Sequence, residues 1–151
     1  MGLDVYFAHP NGEYISFHDR IMEVENGFPF AQSPTTIPPV YNEYDEVIQE
    51  ESVVCDIVEI NGMSCVGSVS FRGRWYDDFV SQVAQIPYSF YRDMSPEELK
   101  EQASAFSSWL EDHQDVPDEQ EFFGIQIGRI RNLSKLLNWA VEHGLGTEAS
   151  Y

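Results

Sequence analysis

Aromatic and β-branched residues crowd the apolar positions over Leu3 to His9 (LDVYFAH) and again over Glu13 to His18 (EYISFH). Such runs favour strands. Asn11-Gly12 lies between the two runs, a strong short-range hairpin signal. Strands are expected at about 3–9 and 13–18, with His9 opposite Tyr14 and His18 opposite Val5. Residues 53–60 and 63–71 repeat the arrangement around Asn61-Gly62. A two-residue turn there pairs Ile60 with Met63, Val58 with Cys65 and Cys55 with Ser68. Val54, Val58, Ile60, Met63, Cys65, Val69 and Phe71 form the expected core face. Between the hairpins, residues 26–39 hold Gly27, Pro29, Pro34, Pro38 and Pro39 and read as a loop with polyproline character. Residues 40–51 (VYNEYDEVIQEE) read as a short helix carrying mostly acid.

The pattern then changes. In residues 73–85, Trp75, Tyr76, Phe79, Val80 and Val83 cluster at helical spacing. Ser95-Pro96-Glu97-Glu98 places Ser at the N-cap, Pro at the first helical position and Glu at the third, so a helix is expected from there to about His113. A third helix is expected over 121–143, with Ile130, Leu133, Leu137, Ala140 and Val141 on its apolar side and Gly144 as C-cap. No repeat or internal boundary interrupts the 151 residues. The expected fold is one α+β domain: two N-terminal β-hairpins forming an antiparallel sheet, followed by about three helices packed on it.

Composition changes this picture mainly through charge. Asp and Glu number 26 against 8 Lys and Arg, a formal charge of −18. Such a chain is repelled by nucleic acid and by anionic membranes and attracts basic surfaces, including the grooves that hold phosphates. The acids are segregated. Residues 21–71 contain nine acids and no Lys or Arg, and residues 93–121 contain ten acids and one Lys. At about 100° per residue, Glu97, Glu98, Glu101, Glu111 and Asp112 occupy an arc of roughly 140° on one helix. Leu99, Ala103, Phe106 and Leu110 lie opposite. The helix dipole accounts for acid near Ser95 but not for Glu111 and Asp112 at the other end. Asp115, Asp118, Glu119 and Glu121 extend this array, and Asp45, Glu46, Glu50 and Glu51 form a second one.

The functional expectation is an acidic interaction protein that binds a basic protein surface, with carboxylates standing in for phosphates before Arg or Lys. A nucleic-acid mimic that inhibits a nucleic-acid-binding or defence protein is its sharpest form. The competing reading is charge kept only for solubility in high salt, which suits a chain with just two Lys. Three of the basic residues, Arg129, Arg131 and Lys135, share the last helix. With Glu142 nearby they suggest internal salt bridges, or a self-association surface against the acidic helix.

Catalytic chemistry is poorly represented. In the expected register His9 and His18 share a face but lie roughly 13 Å apart, too far for one metal. His113 and His143 fall at helix ends, where His commonly meets the dipole. No HExxH, P-loop, GxGxxG or GxSxG is present, so no catalytic residue, metal or cofactor is expected. Cys55 and Cys65 fall on opposite faces of their hairpin and cannot bond to each other, which fits a reducing compartment. With no secretory signal and no long apolar run, a cytoplasmic location is expected. One alternative site stands out. Arg72 and Arg74 flank a strand-to-helix junction (FRGRW), and helix-start amides attract anions. A small ligand-binding or enzymatic domain with an anion site there is the second functional expectation.

The opening Met-Gly-Leu-Asp-Val-Tyr resembles the start of small proteins of bacterial and phage genomes that begin Met-Gly-Leu-Asp followed by aromatic or aliphatic residues. The Arg-and-aromatic junction at 71–80 resembles the same group. The likeness covers under a tenth of the chain and implies no activity. It implies a phage or mobile-element origin, where acidic inhibitors of host nucleic-acid enzymes are common.

Overall fold

In the computed structural model, which describes residues 2–13, 34–55 and 70–151, the chain begins with β1 (Asp4–Ala8), β2 (Pro34–Ile37), β3 (Val40–Tyr41), β4 (Val47–Gln49), β5 (Ser52–Cys55) and β6 (Ser70–Arg72). A 3-10 turn (Gly73–Tyr76), α1 (Asp77–Gln82) and α2 (Pro96–Glu111) follow. Next come β7 (Glu121–Phe122), β8 (Ile125–Gln126), α3 (Ile127–Glu142) and β9 (Gly146–Ser150). Among the described residues six strands come first and three helices follow, with β7 and β8 before the last helix and β9 after it, an α+β fold built on antiparallel sheets.

The central sheet has the order β6-β1-β9, antiparallel throughout. Leu3, Val5 and Phe7 alternate to the buried side of β1, as the period-two pattern requires. Val5 faces Phe71 on β6 and Ala149 on β9. Phe71 stacks edge-on against Phe90 at 5.2 Å and lies 5.9 Å from Phe7. The aromatic contacts continue through Phe79, which meets Trp109 edge-on at 4.8 Å and Phe106 at 5.5 Å. Leu99, Ala103 and Phe106 of α2 and Ile130, Leu133, Leu137 and Ala140 of α3 are buried in the same core.

α2 starts where the sequence places it. Ser95 Oγ accepts the Glu98 N–H at 3.2 Å and Glu98 Oε1 accepts the Ser95 N–H at 3.1 Å, completing a capping box with Pro96 behind it. α3 ends in a Schellman motif: Leu145 N–H donates to Ala140 O at 3.0 Å and Gly144 N–H to Val141 O at 3.1 Å, with Gly144 at φ +69°. The chain then turns back as β9, which the sequence pattern does not announce. Its outer edge is closed by Met94, whose N–H and C=O exchange hydrogen bonds with Thr147, and by Asp93 Oδ1, which accepts the Ala149 N–H at 2.8 Å. Gly146 is required there, because a Cβ would fall 2.5 Å from Met94 O.

Several sequence expectations are corrected. The first turn has three residues, not two. His9 N–H donates to Glu13 O and Gly12 N–H to His9 O, both at 2.8 Å, with Gly12 at φ +90°. Pro10 suits the second position of this type I turn, so His9 faces Glu13 rather than Tyr14. Residues 34–37, expected in a loop, form a strand on β5 with Pro34 opposite Cys55. Residues 40–51, expected as a helix, form the β3–β4 hairpin. Its loop repeats the first turn: Asn42 N–H bonds Glu46 O, Asp45 N–H bonds Asn42 O, and Asp45 takes the left-handed position at φ +60°. Asn42 Oδ1 accepts from both Tyr44 and Glu46 amides, and this local bonding competes with helix.

The expected helix over 73–85 is a 3-10 turn plus a two-turn helix, and Trp75 is exposed instead of joining the core. The last helix begins at Ile127, not 121, because Phe123-Gly124 makes a hairpin turn between β7 and β8. The strand expected at 13–18 falls, beyond Glu13, outside the described residues, as do His18, Cys65, the Asn61-Gly62 turn and all three pairs expected around it.

Candidate functional site

α2 carries the first acidic array, and partners tie down part of it. Glu98 closes the capping box and pairs with Arg92. Its carboxyl is held below the ordinary 4.5, first because it accepts the Ser95 amide, then through Arg92 and the Ser95 hydroxyl, against some desolvation. Glu101 Oε2 accepts the Tyr88 hydroxyl at 2.7 Å. That bond, with desolvation and the nearby Glu101 and Glu98 charges, raises the Tyr88 pKa above 10.0 even against Arg92. Glu97, Glu111 and Asp112 are exposed, with no side-chain partner among the described residues. Ser104 and Ser108 occupy the same face between the two acidic ends. From Glu97 to Asp112 the helix rises about 22 Å, a length over which duplex DNA carries roughly 13 charges. Five carboxylates, one of them offset by Arg92, make this helix alone a dilute imitation.

The acid continues past the helix in Asp115, Asp118, Glu119 and Glu121, all exposed. Asp118 is committed: Arg131 Nη1 reaches its Oδ1 at 2.5 Å, while Arg131 Nη2 donates to Val116 O at 2.7 Å and His113 O at 3.1 Å. Arg131 therefore fastens the 113–118 loop to α3 rather than pairing with Glu142. Arg129, Arg131 and Lys135 line a cleft of about 680 Å³ together with Asp118 and Glu119. The basic stretch of α3 thus meets the acidic loop that follows α2, within one molecule.

The second array sits on the β3–β4 hairpin. Asp45, Glu46, Glu50 and Glu51 are all exposed. So are the apolar residues among them: Val40, Tyr41, Val47, Tyr44 at 74% and Ile48 at 65%. Nothing in the sequence pattern alone marked these side chains as solvent-facing, because a helix would have turned some of them inward.

Arg72 and Arg74, the alternative anion site, line a third feature, a cleft of about 500 Å³ shared with Trp75, Asp78, Phe123, Gly124 and Ile125. Arg72 Nε donates to Asp4 Oδ1 at 3.0 Å and its guanidinium lies over Gly2, where a Cβ would fall 2.5 Å from Nη1. Arg72 is thus already engaged by an acid of β1, Asp4. α1 is only six residues long and has Asp77 and Asp78 in its own first turn, so its amides add little for an anion. Sequence reasoning missed Phe123, whose link to Trp75 spans nearly fifty positions. Its trace in the sequence is Phe-Gly between two apolar residues, a turn signal.

His113 and His143 each sit four residues after a Trp, and each bonds that Trp's carbonyl through Nδ1, at 2.7 and 2.8 Å. His113 also stacks on Trp109 at 3.9 Å. Both therefore close helix ends, as expected. Among the described residues no group of three or more His, Cys, Asp or Glu is placed to hold a metal ion, and no helix is long and apolar enough to cross a membrane. Compared with family models, curated proteins and solved structures, the chain matches none.

Proposed function

We propose that this chain is an acidic interaction protein whose partner presents a basic surface with an apolar floor, of the kind found on nucleic-acid-binding proteins. The β3–β4 hairpin carries the reading. Adaptation to salt favours acid over exposed apolar area, yet this hairpin keeps Tyr41, Tyr44, Val47 and Ile48 in solvent among Asp45, Glu46, Glu50 and Glu51. An apolar centre with a charged rim is the anatomy of a protein interface. Glu97, Glu111, Asp112, Asp115, Glu119 and Glu121 supply a wider field that steers a basic partner. Inhibition of a host defence protein by phosphate mimicry is the most specific form of this proposal, in line with the resemblance of the chain's opening to phage proteins.

The test is capture from host lysate at low salt, eluted by a salt gradient, with two variants beside the natural chain. Tyr44→Ser/Ile48→Ser removes the apolar centre at constant charge, and Glu46→Gln/Glu50→Gln/Glu51→Gln removes the rim at constant shape. Both should release the captured partner at lower salt than the natural chain, and nucleic acid should compete with that partner. If stability climbs steeply into molar salt and neither variant alters capture, the acid serves solubility and the proposal fails.

A further inference from the structure

We propose that the cleft between the 3-10 turn and the β7–β8 hairpin is a binding site for a small planar aromatic molecule bearing one anionic group. The inference stands apart from the acidic-surface reading and can survive its failure.

Phe123 is the starting point. Phe122 pairs with Ile125, which leaves Phe123-Gly124 as a two-residue turn with φ +53° and +82°. That is a type I′ geometry, whose first position favours Asn, Asp or Gly. A bulky residue at positive φ is a genuine outlier. The ring recovers little inside the fold: 48% of Phe123 is exposed, and its one described ring contact is with Phe79 at a loose 6.4 Å. A locally disfavoured residue held half in solvent points to a role outside the fold.

Trp75 lines the same cleft and is 60% exposed. It lies in a 3-10 turn whose neighbours Gly73 and Tyr76 are buried, so the backbone presenting it is fixed. No ring contact joins Trp75 to Phe123 among the described residues, so the two rings do not close on each other across the cleft. The cleft volume, about 500 Å³, is that of a small-ligand pocket.

The lining charges define the rest of the ligand. Two guanidiniums, Arg72 and Arg74, line the cleft with the Asp78 carboxylate, and Asp4 engages Arg72, so the arginines offer directional donors rather than a surplus of charge. Asp4 fixes Arg72 through Nε, so its orientation is set before any ligand arrives. Guanidinium binds carboxylate and phosphate with planar, directional donors and also stacks on rings. The net charge of −18 disfavours polyanions at long range. One anionic group therefore fits better than three, and a free nucleotide or aromatic acid better than a nucleic-acid strand.

The experiment is calorimetric titration of the full chain with AMP and 1-naphthoate, beside adenosine, ribose 5-phosphate and ATP as controls. The expected result is saturable binding of at least one of the first two. Adenosine, which lacks the anion, and ribose 5-phosphate, which lacks the ring, should bind at least about tenfold more weakly, and ATP more weakly than AMP. Trp75→Ala should weaken binding by about tenfold or more. Phe123→Asn should do the same while melting at or above the natural temperature, because Asn suits the turn. No binding of either probe up to about 1 mM, binding untouched by both substitutions, or equal binding of the ringless or uncharged controls overturns the proposal. So does a lower melting temperature for Phe123→Asn, which would make the Phe123 ring a structural element.

Discussion

Replacing Ser95 by Ala isolates one local interaction with a workable magnitude. The Glu98 amide loses its acceptor at 3.2 Å, while Glu98 Oε1 can still receive the Ser95 amide at 3.1 Å. Loss of an N-cap of this kind costs about 1 kcal/mol, which for a domain of this size lowers the melting temperature by about 2–4 °C. Glu98→Ala removes the reciprocal bond and the contact with Arg92. Both bonds hold the same first turn of α2, so the double variant should lose less than the sum, with a coupling of at least about 0.5 kcal/mol. Glu98→Gln keeps the bond geometry and removes the charge. The folded carboxyl lies below 4.5, so its contribution is present above the unfolded value and is lost as pH falls through the folded one. Thermal unfolding followed by circular dichroism, repeated in steps below neutral pH, should show a shallower acid loss in Glu98→Gln than in the natural chain. Unchanged melting in Ser95→Ala, strict additivity in the double variant, or an identical acid limb in Glu98→Gln would refute the reasoning.

Gly146→Ala drives a Cβ toward Met94 O, a backbone atom with little freedom. It should destabilise by about 1–3 kcal/mol, read as a lower denaturant midpoint. Arg131→Met releases Asp118, strands the Val116 carbonyl and leaves His113 O with the Val116 amide alone. It should cost about 1–3 kcal/mol and speed amide exchange in 113–118 more than in α2. Tyr88 binds its proton more tightly when folded. Its contribution is therefore present below 10.0 and lost as pH rises through the higher folded value, and Tyr88→Phe should lack that alkaline component in denaturant midpoints. Glu97→Gln/Glu101→Gln/Glu111→Gln/Asp112→Asn should stay folded at low salt, since it relieves like charges at i,i+4, while eluting from a basic partner at lower salt. Unaltered elution would remove α2 from the interface.

Local signals were legible in the sequence. β1 follows from a run of aromatic and β-branched residues, α2 from a capping box that uses only residues 95–98, and the end of α3 from Gly144. Elements defined by distant partners were not. β9 (GTEAS) has no apolar alternation, and its two buried N-terminal residues, Gly146 and Thr147, are enclosed by β1 and Met94. Residues 40–51 contain enough Glu and Gln to look helical, but Asn42 and a left-handed Asp45 turn them into a hairpin. The same divide runs through the sites. Exposure of the acids was readable from their spacing, but which of them are already engaged was not. Glu101, Glu98 and Asp118 are committed by Tyr88, Arg92 and Arg131, a relation only tertiary structure supplies. The Arg72–Arg74 cleft was half visible, and its second wall arrives from the β7–β8 turn.

Pairing of β1 with β9 also sets a timetable for biogenesis. Ala8 and Gly146 face each other, so about 140 residues must be looped out before they meet, an entropic cost of about 4 kcal/mol. At ordinary translation rates, those residues take about 10–30 s to emerge from a ribosome. For most of that interval Val5 and Phe7 lie outside the tunnel without β9, and for its first half without β6 as well. The earliest part of the core is thus among the last to be completed, and the nascent chain exposes a bare aromatic strand edge to whatever chaperone, or aggregate, reaches it first.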